Sequence, residues 1–565
     1  MSNKTINLNI EGMTCSGCSS HIEKDMNKTN GIVSSTVNHE TGEGKFVFDT
    51  NIISKQDVIN AVNNVGNYSV VEGIEKESTL VSNFESTTIK DSSSDKSDYD
   101  LIIIGGGSAA FSAAIKAESL GLTTLMVNGG LDFGGTCVNV GCVPSKNLIR
   151  AAETVYHATH SNFKGIKPKG VDIDFKQVIK DKKALVAALQ KQKYMDVVSD
   201  FKNLTMHKGW AEFIDNKTIL IDGKDKYTAT NIVIATGATT KIPNIEGLNE
   251  VGYLTNVSLF DLEEKPESLT IMGAGYIGLE IAQAYSRLGV KVHIIEFTDR
   301  PLRSQTSDIT DVLVEQMKSE GIEILPNFRA FKFEKRGNET IIHCNCPDGS
   351  TTQIIEKGHI VVATGTKPNT TKLGLENSDI NLTKSGHILV NERMETNVSN
   401  IYAAGDVTNT PPFVYTAATE GNTAVNNAFS LSKNNIDYTS LPWVVFTDPQ
   451  IAGAGMDEVE AEKLGIPFEV SKLDLIHVPR ALAAQDTRGF IKLIRNTETD
   501  KLIGARVIAP EGGELIQQLS MAIKFGITVK DLAESFYPYL TLGEGIKLAA
   551  ITFGKDVSKL SCCAS

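Results

Sequence analysis

The chain has 565 residues, enough for three or four domains, and its 41% hydrophobic and 22% charged content is ordinary for a globular protein. A formal charge of −13 argues against nonspecific nucleic-acid binding and against docking on anionic membranes. No apolar run is long enough to insert in a bilayer, and residues 1–8 lack the apolar core of a signal peptide, so a cytoplasmic location is expected. In that reducing compartment cysteines are expected to be catalytic or metal-binding. The eight present fall in four close pairs: Cys15/Cys18, Cys137/Cys142, Cys344/Cys346 and Cys562/Cys563.

Residues 1–73 read as a small domain. Ile6–Ile10 alternates as a strand, a loop carries Cys15 and Cys18, and a helix is expected from about Ser19 to Gly31. Two strands, a second helix around Ile59, Val62 and Val65, and a last strand at Tyr68–Val71 complete a βαββαβ, ferredoxin-like order. The Gly12-Met-Thr-Cys-Ser-Gly-Cys18 loop resembles the heavy-metal-associated domains of soft-metal chaperones and transporters. Two thiolates at this spacing suit near-linear coordination of Cu(I) or Hg(II) and cannot alone fill a tetrahedral zinc site. Residues 74–98 are rich in Ser, Asp, Glu and Lys without apolar period, and read as a flexible tether.

A first dinucleotide fold opens at Tyr99. A buried strand to Ile104, the turn Gly105-Gly-Gly107-Ser-Ala-Ala110, a helix to about Leu120 and a strand ending at Asn128 form the GxGxxA setting. Its glycines admit a pyrophosphate to the backbone, and the helix start stabilises its charge. Asn128 stands where an acid usually binds the adenosine ribose; its amide can still bond a hydroxyl. Next comes Gly134-Gly135-Thr136-Cys137-Val-Asn-Val-Gly-Cys142-Val-Pro-Ser-Lys146. Cys142 begins an expected helix, where a thiolate is stabilised, and the two cysteines can cycle between dithiol and disulfide. A long helical region is expected over residues 181–201, including Tyr194. A strand ending in Ala-Thr236-Gly237 marks the interruption of this fold.

A second dinucleotide fold opens at Ser268, with Gly273-Ala-Gly275-Tyr276-Ile-Gly278 between strand and helix and a following strand ending in Glu296. An acid there favours two free ribose hydroxyls, hence NADH; Arg300 and Arg303 nearby leave NADPH open. Cys344 and Cys346 fall on a strand and turn, with His343 on the opposite strand face. A second Ala-Thr-Gly365 closes the fold, and Gly405-Asp406 returns the chain to the first one. From about Leu441, strands at 443–447, 490–494 and 505–508 precede helices at 513–525 and 528–535.

In this order these motifs resemble the flavin-dependent pyridine-nucleotide:disulfide oxidoreductases over residues 99–565. The resemblance implies FAD on the first fold (99–256, returning at 371–440), NADH or NADPH on the second (257–370), and a homodimer built through 441–565. The expected architecture is thus α/β and α+β multidomain: a ferredoxin-like domain, two Rossmann-like domains and an α+β dimerisation domain. The resemblance also implies that Cys142 faces the flavin, Cys137 meets the substrate, Lys146 pairs with Glu280, Tyr276 covers the nicotinamide pocket and Asp406 meets the flavin ribitol.

Three features point to the mercuric reductase branch. Disulfide-reducing members end with His-Pro-x-x-x-Glu, whose histidine shuttles protons; here the stretch is Tyr539-Leu-Thr-Leu-Gly-Glu544. A phenol is a poor shuttle at neutral pH. The Cys562/Cys563 tail and the amino-terminal Cys15/Cys18 domain are both similar to those of mercuric reductases, which place tyrosines at positions matching Tyr194 and Tyr539. The implied activity is reduction of Hg(II), presented as a thiol complex, to elemental mercury by NAD(P)H, with the tail reaching the other subunit's active site. The alternatives are a reductase of a low-molecular-weight disulfide and a soft-metal buffer or chaperone.

Overall fold

The computed structural model describes residues 3–11, 16–37, 42–65, 68–71 and 97–556. Cys15, Cys562, Cys563 and most of the expected tether lie outside them. The chain divides into two compact units, residues 1–94 and 95–565.

The first unit runs β1 (Asn3–Glu11), α1 (Ser16–Met26), β2 (Ile32–Val37), β3 (Glu43–Asp49), α2 (Lys55–Asn63) and β4 (Ser69–Val71). The sheet order is β2-β3-β1-β4, the expected ferredoxin-like layout. Ile22 and Met26, one helical turn apart, are fully buried with Phe46, Val58 and Val62. The first helix starts earlier than the sequence reading expects. Ser16 and Gly17 enter the helix, so Cys18 lies in its first turn and not on the loop. Ser and Gly are common at helix starts, and apolar spacing alone does not locate them.

In the second unit, β5 (Tyr99–Ile104), α3 (Ser108–Ser119) and β6 (Thr124–Asn128) form the first dinucleotide turn. They are followed by α4 (Gly135–Val140), α5 (Cys142–Thr159) and α6 (Phe175–Gln190). Helix α6 starts six residues before the expected Asp181 because Asp174 caps it, accepting from the Gln177 N–H. It runs on into a π-helical turn, Lys191–Met195, that carries Tyr194. Strands β7 (Leu204–Lys208), β8 (Ala211–Asp215), β9 (Thr218–Ile221) and β10 (Asp225–Ile234) complete this part. Strand β10 serves two sheets. Its first half pairs antiparallel with β9, and from Ala229 it pairs parallel with β5.

The second dinucleotide fold contains β11 (Ser268–Met272), α7 (Tyr276–Arg287), β12 (Lys291–Glu296), α8 (Ser307–Ser319), β13 (Glu323–Pro326), β14 (Arg329–Arg336), β15 (Glu339–Asn345), β16 (Thr351–Glu356) and β17 (His359–Val362). Its parallel order is β13-β12-β11-β17, with β14, β15 and β16 as an antiparallel meander. Both Ala-Thr-Gly segments lead into short strands, Ala238–Thr240 and Thr366–Pro368, that pair with each other. The chain therefore leaves and re-enters the first fold through one two-stranded joint. It then adds β18 (Ile401–Ala403), parallel to β10, and α9 (Val414–Phe429), which packs on α3.

The C-terminal part is a five-stranded antiparallel sheet of β19 (Trp443–Val445), β20 (Gln450–Gly455), β21 (Phe468–Asp474), β22 (Phe490–Asn496) and β23 (Leu502–Ala509). Its order is β19-β20-β23-β22-β21. Helices α10 (Gly512–Lys524), α11 (Val529–Glu534) and α12 (Glu544–Ile551) follow. No helix among the described residues is long and apolar enough to cross a membrane.

The glycine turn of the second fold is tight enough to test. A Cβ on Gly278 would stand 2.0 Å from the Gly273 carbonyl oxygen, a backbone atom that cannot move aside. Gly278→Val should destabilise this unit by about 3 kcal/mol, read as a lower Tm in thermal unfolding followed by circular dichroism.

Candidate active site

The dithiol loop is built on close backbone approaches. Gly134 adopts φ +105° and donates its N–H to the Gly106 carbonyl at 2.7 Å. A Cβ on Gly135 would lie 2.5 Å from the Gly107 Cα, so α4 rests directly on the first glycine turn. Gly141 packs over Thr136 and Cys137, where a Cβ would meet the Thr136 oxygen at 2.9 Å. This fold-back brings Cys137, on α4, against Cys142, the first residue of α5. Asn256 anchors the turn, donating to the Val140 carbonyl at 2.8 Å.

Both cysteines are free thiols in contact. The hydrogen bond from Cys137 lowers the Cys142 thiol to about 7, against the opposing effect of burial and with further help from the Lys146 ammonium. The same hydrogen bond, then burial, pushes Cys137 far upward. One proton is therefore shared by the pair, held on Cys137 and donated to a Cys142 thiolate. The Lys146 ammonium pairs with Glu280 of α7 at 2.8 Å, as the family resemblance implies. Glu280 is buried, and its other oxygen accepts the Phe446 N–H at 2.9 Å. Lys146 also lies 4.4 Å from the centroid of the Phe446 ring. Nothing in the sequence around Phe446 signals this contact, because it comes from a different domain.

Tyr194 lies near the same thiols. Its hydroxyl is 3.1 Å from Ser108 Oγ, and its ring meets Phe111 edge-on at 5.0 Å. Burial pushes its phenol upward, Ser108 opposes this, and the neighbouring sulfurs add to the rise. Tyr539 sits on the segment before α12, its ring more than half exposed on this single chain, and Glu544 accepts the Leu540 N–H nearby.

The residues of the first fold fit FAD. Gly105 has φ +134°, and a Cβ there would meet the Ala235 oxygen at 2.1 Å. The N-cap of α3 is Gly107 with no side-chain cap, so the first-turn N–H groups face the cradle formed with Gly135. Ala110 is buried one turn into that helix. Asn128 packs on Gly106 and donates to the Leu131 carbonyl at 2.8 Å. Thr136 is the second residue of α4, beside the cradle, and Thr236 and Gly237 are held by Asn369, whose amide donates to the Thr236 carbonyl at 2.9 Å. Burial, reinforced by Glu420, pushes the Asp406 carboxyl above its ordinary range. Glu420 itself is fully buried, accepting the Gly405 N–H at 2.7 Å and the Tyr438 hydroxyl at 2.8 Å. The sequence reading missed this carboxylate. Its only signal was an acid inside the otherwise small-residue face of α9.

The second fold is similarly fitted to a dinucleotide. Gly273 has φ +106°, Gly275 caps α7 without a side chain, and Gly365 has φ +99° beside the joint. Glu296 is buried, and its oxygens accept the N–H groups of Ala274 and Thr298 at 2.7 Å and the Thr298 hydroxyl at 2.6 Å. It thus shapes the glycine turn as well as ending β12. Arg300 folds back to donate to the Arg303 and Gln305 carbonyls, whereas Arg303 is exposed and pairs with Asp299 at 3.5 Å. Tyr276 stacks on Trp443. Cys344 is buried in an apolar cluster with Leu248 and Phe333, and burial lifts its thiol to about 11. His343 points the other way, to Glu334 at 3.2 Å. Among the described residues no group of three or more His, Cys, Asp or Glu side chains is arranged to hold a metal ion.

The Pyridine nucleotide-disulphide oxidoreductase family matches residues 99–421, its dimerisation domain matches 441–550, and the Heavy-metal-associated domain matches 7–69. A mercuric reductase from Staphylococcus aureus is 39% identical over 564 residues, covering 100% of both chains. One from Lysinibacillus sphaericus is 38% identical over 558 residues, covering 99% of each. Among solved structures, the HOCl-induced flavoprotein disulfide reductase RclA from Escherichia coli matches with TM-score 0.71 at 28% identity, over 79% of this chain and 98% of its own. LpdA from Mycobacterium tuberculosis matches with TM-score 0.71 at 29% identity, over 80% and 100%.

Removing the Lys146 cation should be visible in the thiol chemistry. Lys146→Met should raise the Cys142 thiol by about one unit, so that its thiolate fraction at pH 7 falls about fivefold. Alkylation of Cys142 in the reduced protein by iodoacetamide, followed against pH by peptide mass spectrometry, should give a sigmoid moved to higher pH with the same plateau.

Proposed function

Because the chain belongs to the pyridine nucleotide-disulphide oxidoreductase family, we infer that it is an NAD(P)H-dependent flavoenzyme that reduces Hg(II) to elemental mercury. The observation that carries the substrate is the match to mercuric reductases along the entire chain, heavy-metal-associated domain included. FAD and NAD(P)H are its cofactors, and FAD, when bound, supplies the two-electron relay between nicotinamide and the thiol site.

The chain's own residues carry the metal. Hg(II) is soft and prefers two thiolates in line, so it passes by exchange between thiol pairs. Cys15 and Cys18 collect it, and Cys562 and Cys563 take it to the active site of the other subunit. The dimerisation-domain match supports a homodimer, and exposed Phe525 and Phe536 give that domain apolar surface to bury. At the dithiol the Cys142 thiolate binds first. The proton shared with Cys137 then leaves, and the metal takes its place between the sulfurs. The Lys146 cation favours the ionised Cys142, and Glu280 holds that cation in place. Tyr194, whose phenol stays protonated, and Tyr539 assist ligand exchange. The overall change is NAD(P)H plus Hg(II) to NAD(P)+, a proton and Hg(0). Both sulfurs remain at the thiol level, sulfur(−II), and uncharged Hg(0) leaves for want of thiolate affinity. NAD(P)H supply places this work in the cytoplasm.

Two alternatives explain less. A disulfide reductase needs a proton shuttle where Tyr539 stands. A soft-metal buffer has no use for a dithiol poised beside two dinucleotide folds.

Anaerobic oxidation of NADH and of NADPH with Hg(II) as a bis-thiol complex should release mercury vapour in proportion to nucleotide consumed, and the two rates identify the cofactor. Brisk turnover of a disulfide with no metal-dependent oxidation would overturn the reading. In the same assay, Cys562→Ser/Cys563→Ser should slow turnover of thiol-bound Hg(II) by about 100-fold, since a tethered pair acts at high effective concentration. NAD(P)H reduction of bound flavin, followed at 450 nm, should not change.

A further inference from the structure

One face of α7 docks on the strand through which the chain enters its C-terminal domain. Tyr276, Glu280, Gln283 and Arg287 recur at i, i+4, i+7 and i+11 and so form one helical stripe. Tyr276 stacks on Trp443, with centroids 5.9 Å apart and planes 15° from parallel. Glu280 accepts the Phe446 N–H at 2.9 Å. Gln283 accepts the Asp448 N–H at 2.7 Å and donates to the Asp448 carbonyl at 2.8 Å. Arg287 donates to the Asp448 carboxylate at 2.9 Å. From the other fold, Tyr415 of α9 donates its hydroxyl to the Pro442 carbonyl. Residues 442–448 are thus gripped by helices of both dinucleotide folds.

Trp443 is itself fixed from behind. It pairs across the sheet with Gly453, and a Cβ on Gly453 would stand 2.4 Å from the indole Cζ2, so the indole lies over bare backbone. The Arg506 guanidinium sits 5.7 Å from the indole centroid. Arg506 is buried, and its Nη1 donates to the carbonyls of Ala454, Gly455 and Ala505. The indole has a glycine floor and a tethered guanidinium beside it, and it presents its free face to the Tyr276 ring.

We propose that Trp443 is a positioning residue for nucleotide binding: its indole is the back wall that holds Tyr276 in the one orientation in which that ring borders the nicotinamide pocket. The proposal rests on the reading of Tyr276 as the cover of that pocket. Tyr276 opens α7 at the glycine turn, where a lone ring would sample several rotamers. Stacking removes that freedom before the nucleotide arrives, and preorganisation of this kind appears in binding rather than in turnover at saturation.

The test uses the FAD-loaded enzyme with ferricyanide as electron acceptor, so that neither thiols nor metal enter. Trp443→Ala should raise the KM for NAD(P)H about fivefold and leave kcat within about twofold. Trp443→Phe, which keeps a stacking ring, should restore KM. Trp443→Ala/Tyr276→Ala should be no worse than Tyr276→Ala alone. The chain has two tryptophans, so Trp210→Phe leaves Trp443 as the single reporter. Its emission should change saturably on titration with NAD+ or NADP+, and Tyr276→Ala should abolish the change. Additive losses in the double variant, or emission indifferent to nucleotide, overturn the proposal. Should Tyr276→Ala raise KM while Trp443→Ala does not, only the role of Trp443 falls. Should Tyr276→Ala itself leave KM unchanged, the reading of Tyr276 falls with it.

Discussion

The ion pair between Lys146 and Glu280 is the constraint on which the site depends. A thiolate at a helix start gains only a fraction of a unit charge of stabilisation from the helix itself. Placing a full cation one turn along α5 adds a larger effect at the same sulfur. That cation in turn is matched by a counter-charge. Glu280 supplies it from the other dinucleotide fold, and Phe446 covers it from the C-terminal domain. Three domains therefore meet around the cation that adds to the effect of the Cys137 hydrogen bond on Cys142. Thiolate reactivity becomes a property of the assembled unit and not of the Cys-x4-Cys loop alone.

Much of this was legible in the sequence because backbone geometry leaves residue-level marks. Gly105, Gly135, Gly273 and Gly278 stand where a Cβ would collide with another backbone, and no other residue fits. Cysteine spacing, the two Ala-Thr-Gly joints and the Gly405-Asp406 turn are marks of the same kind. The ferredoxin-like order was legible because its strands alternate. What stayed hidden were contacts between residues far apart in sequence. Phe446 over Lys146 and Trp443 behind Tyr276 are ordinary residues whose neighbours come from other domains, and Glu420 under Gly405 is set by the packing of a helix on a strand end. Strand β20, Gln450-Ile-Ala-Gly-Ala-Gly455, was hidden for a different reason. Its small residues carry little strand propensity, and it is held by burial between β19 and β23.

Under the proposed function the chemistry divides between sulfur that is poised and sulfur that is not. Cys344 is buried among apolar side chains and lifted to about 11, so it is a poor ligand at neutral pH. Cys137 and Cys142 share a proton that a soft cation can displace. The same eight-cysteine count thus contains an inert structural thiol and a reactive pair, and only environment separates them. Tyr539 fits this division. A metal that exchanges between thiolates needs ligands to move but no proton to be delivered to a leaving thiol, so a phenol can stand where a disulfide reductase requires a base.

Helix α7 gives these separate requirements a common frame. Its first residue, on the proposed reading, borders the nucleotide site, its fifth holds the Lys146 cation, and its last reaches a buried carboxylate pair of Glu320 and Asp448. A rigid helix 12 residues long cannot move at one end and stay at the other without breaking several of these contacts. Under the proposed function, the nicotinamide end and the cation beside the dithiol are therefore held by one rigid body docked on one strand. The two functions of the site share a structural cause, although they lie on different motifs in the sequence.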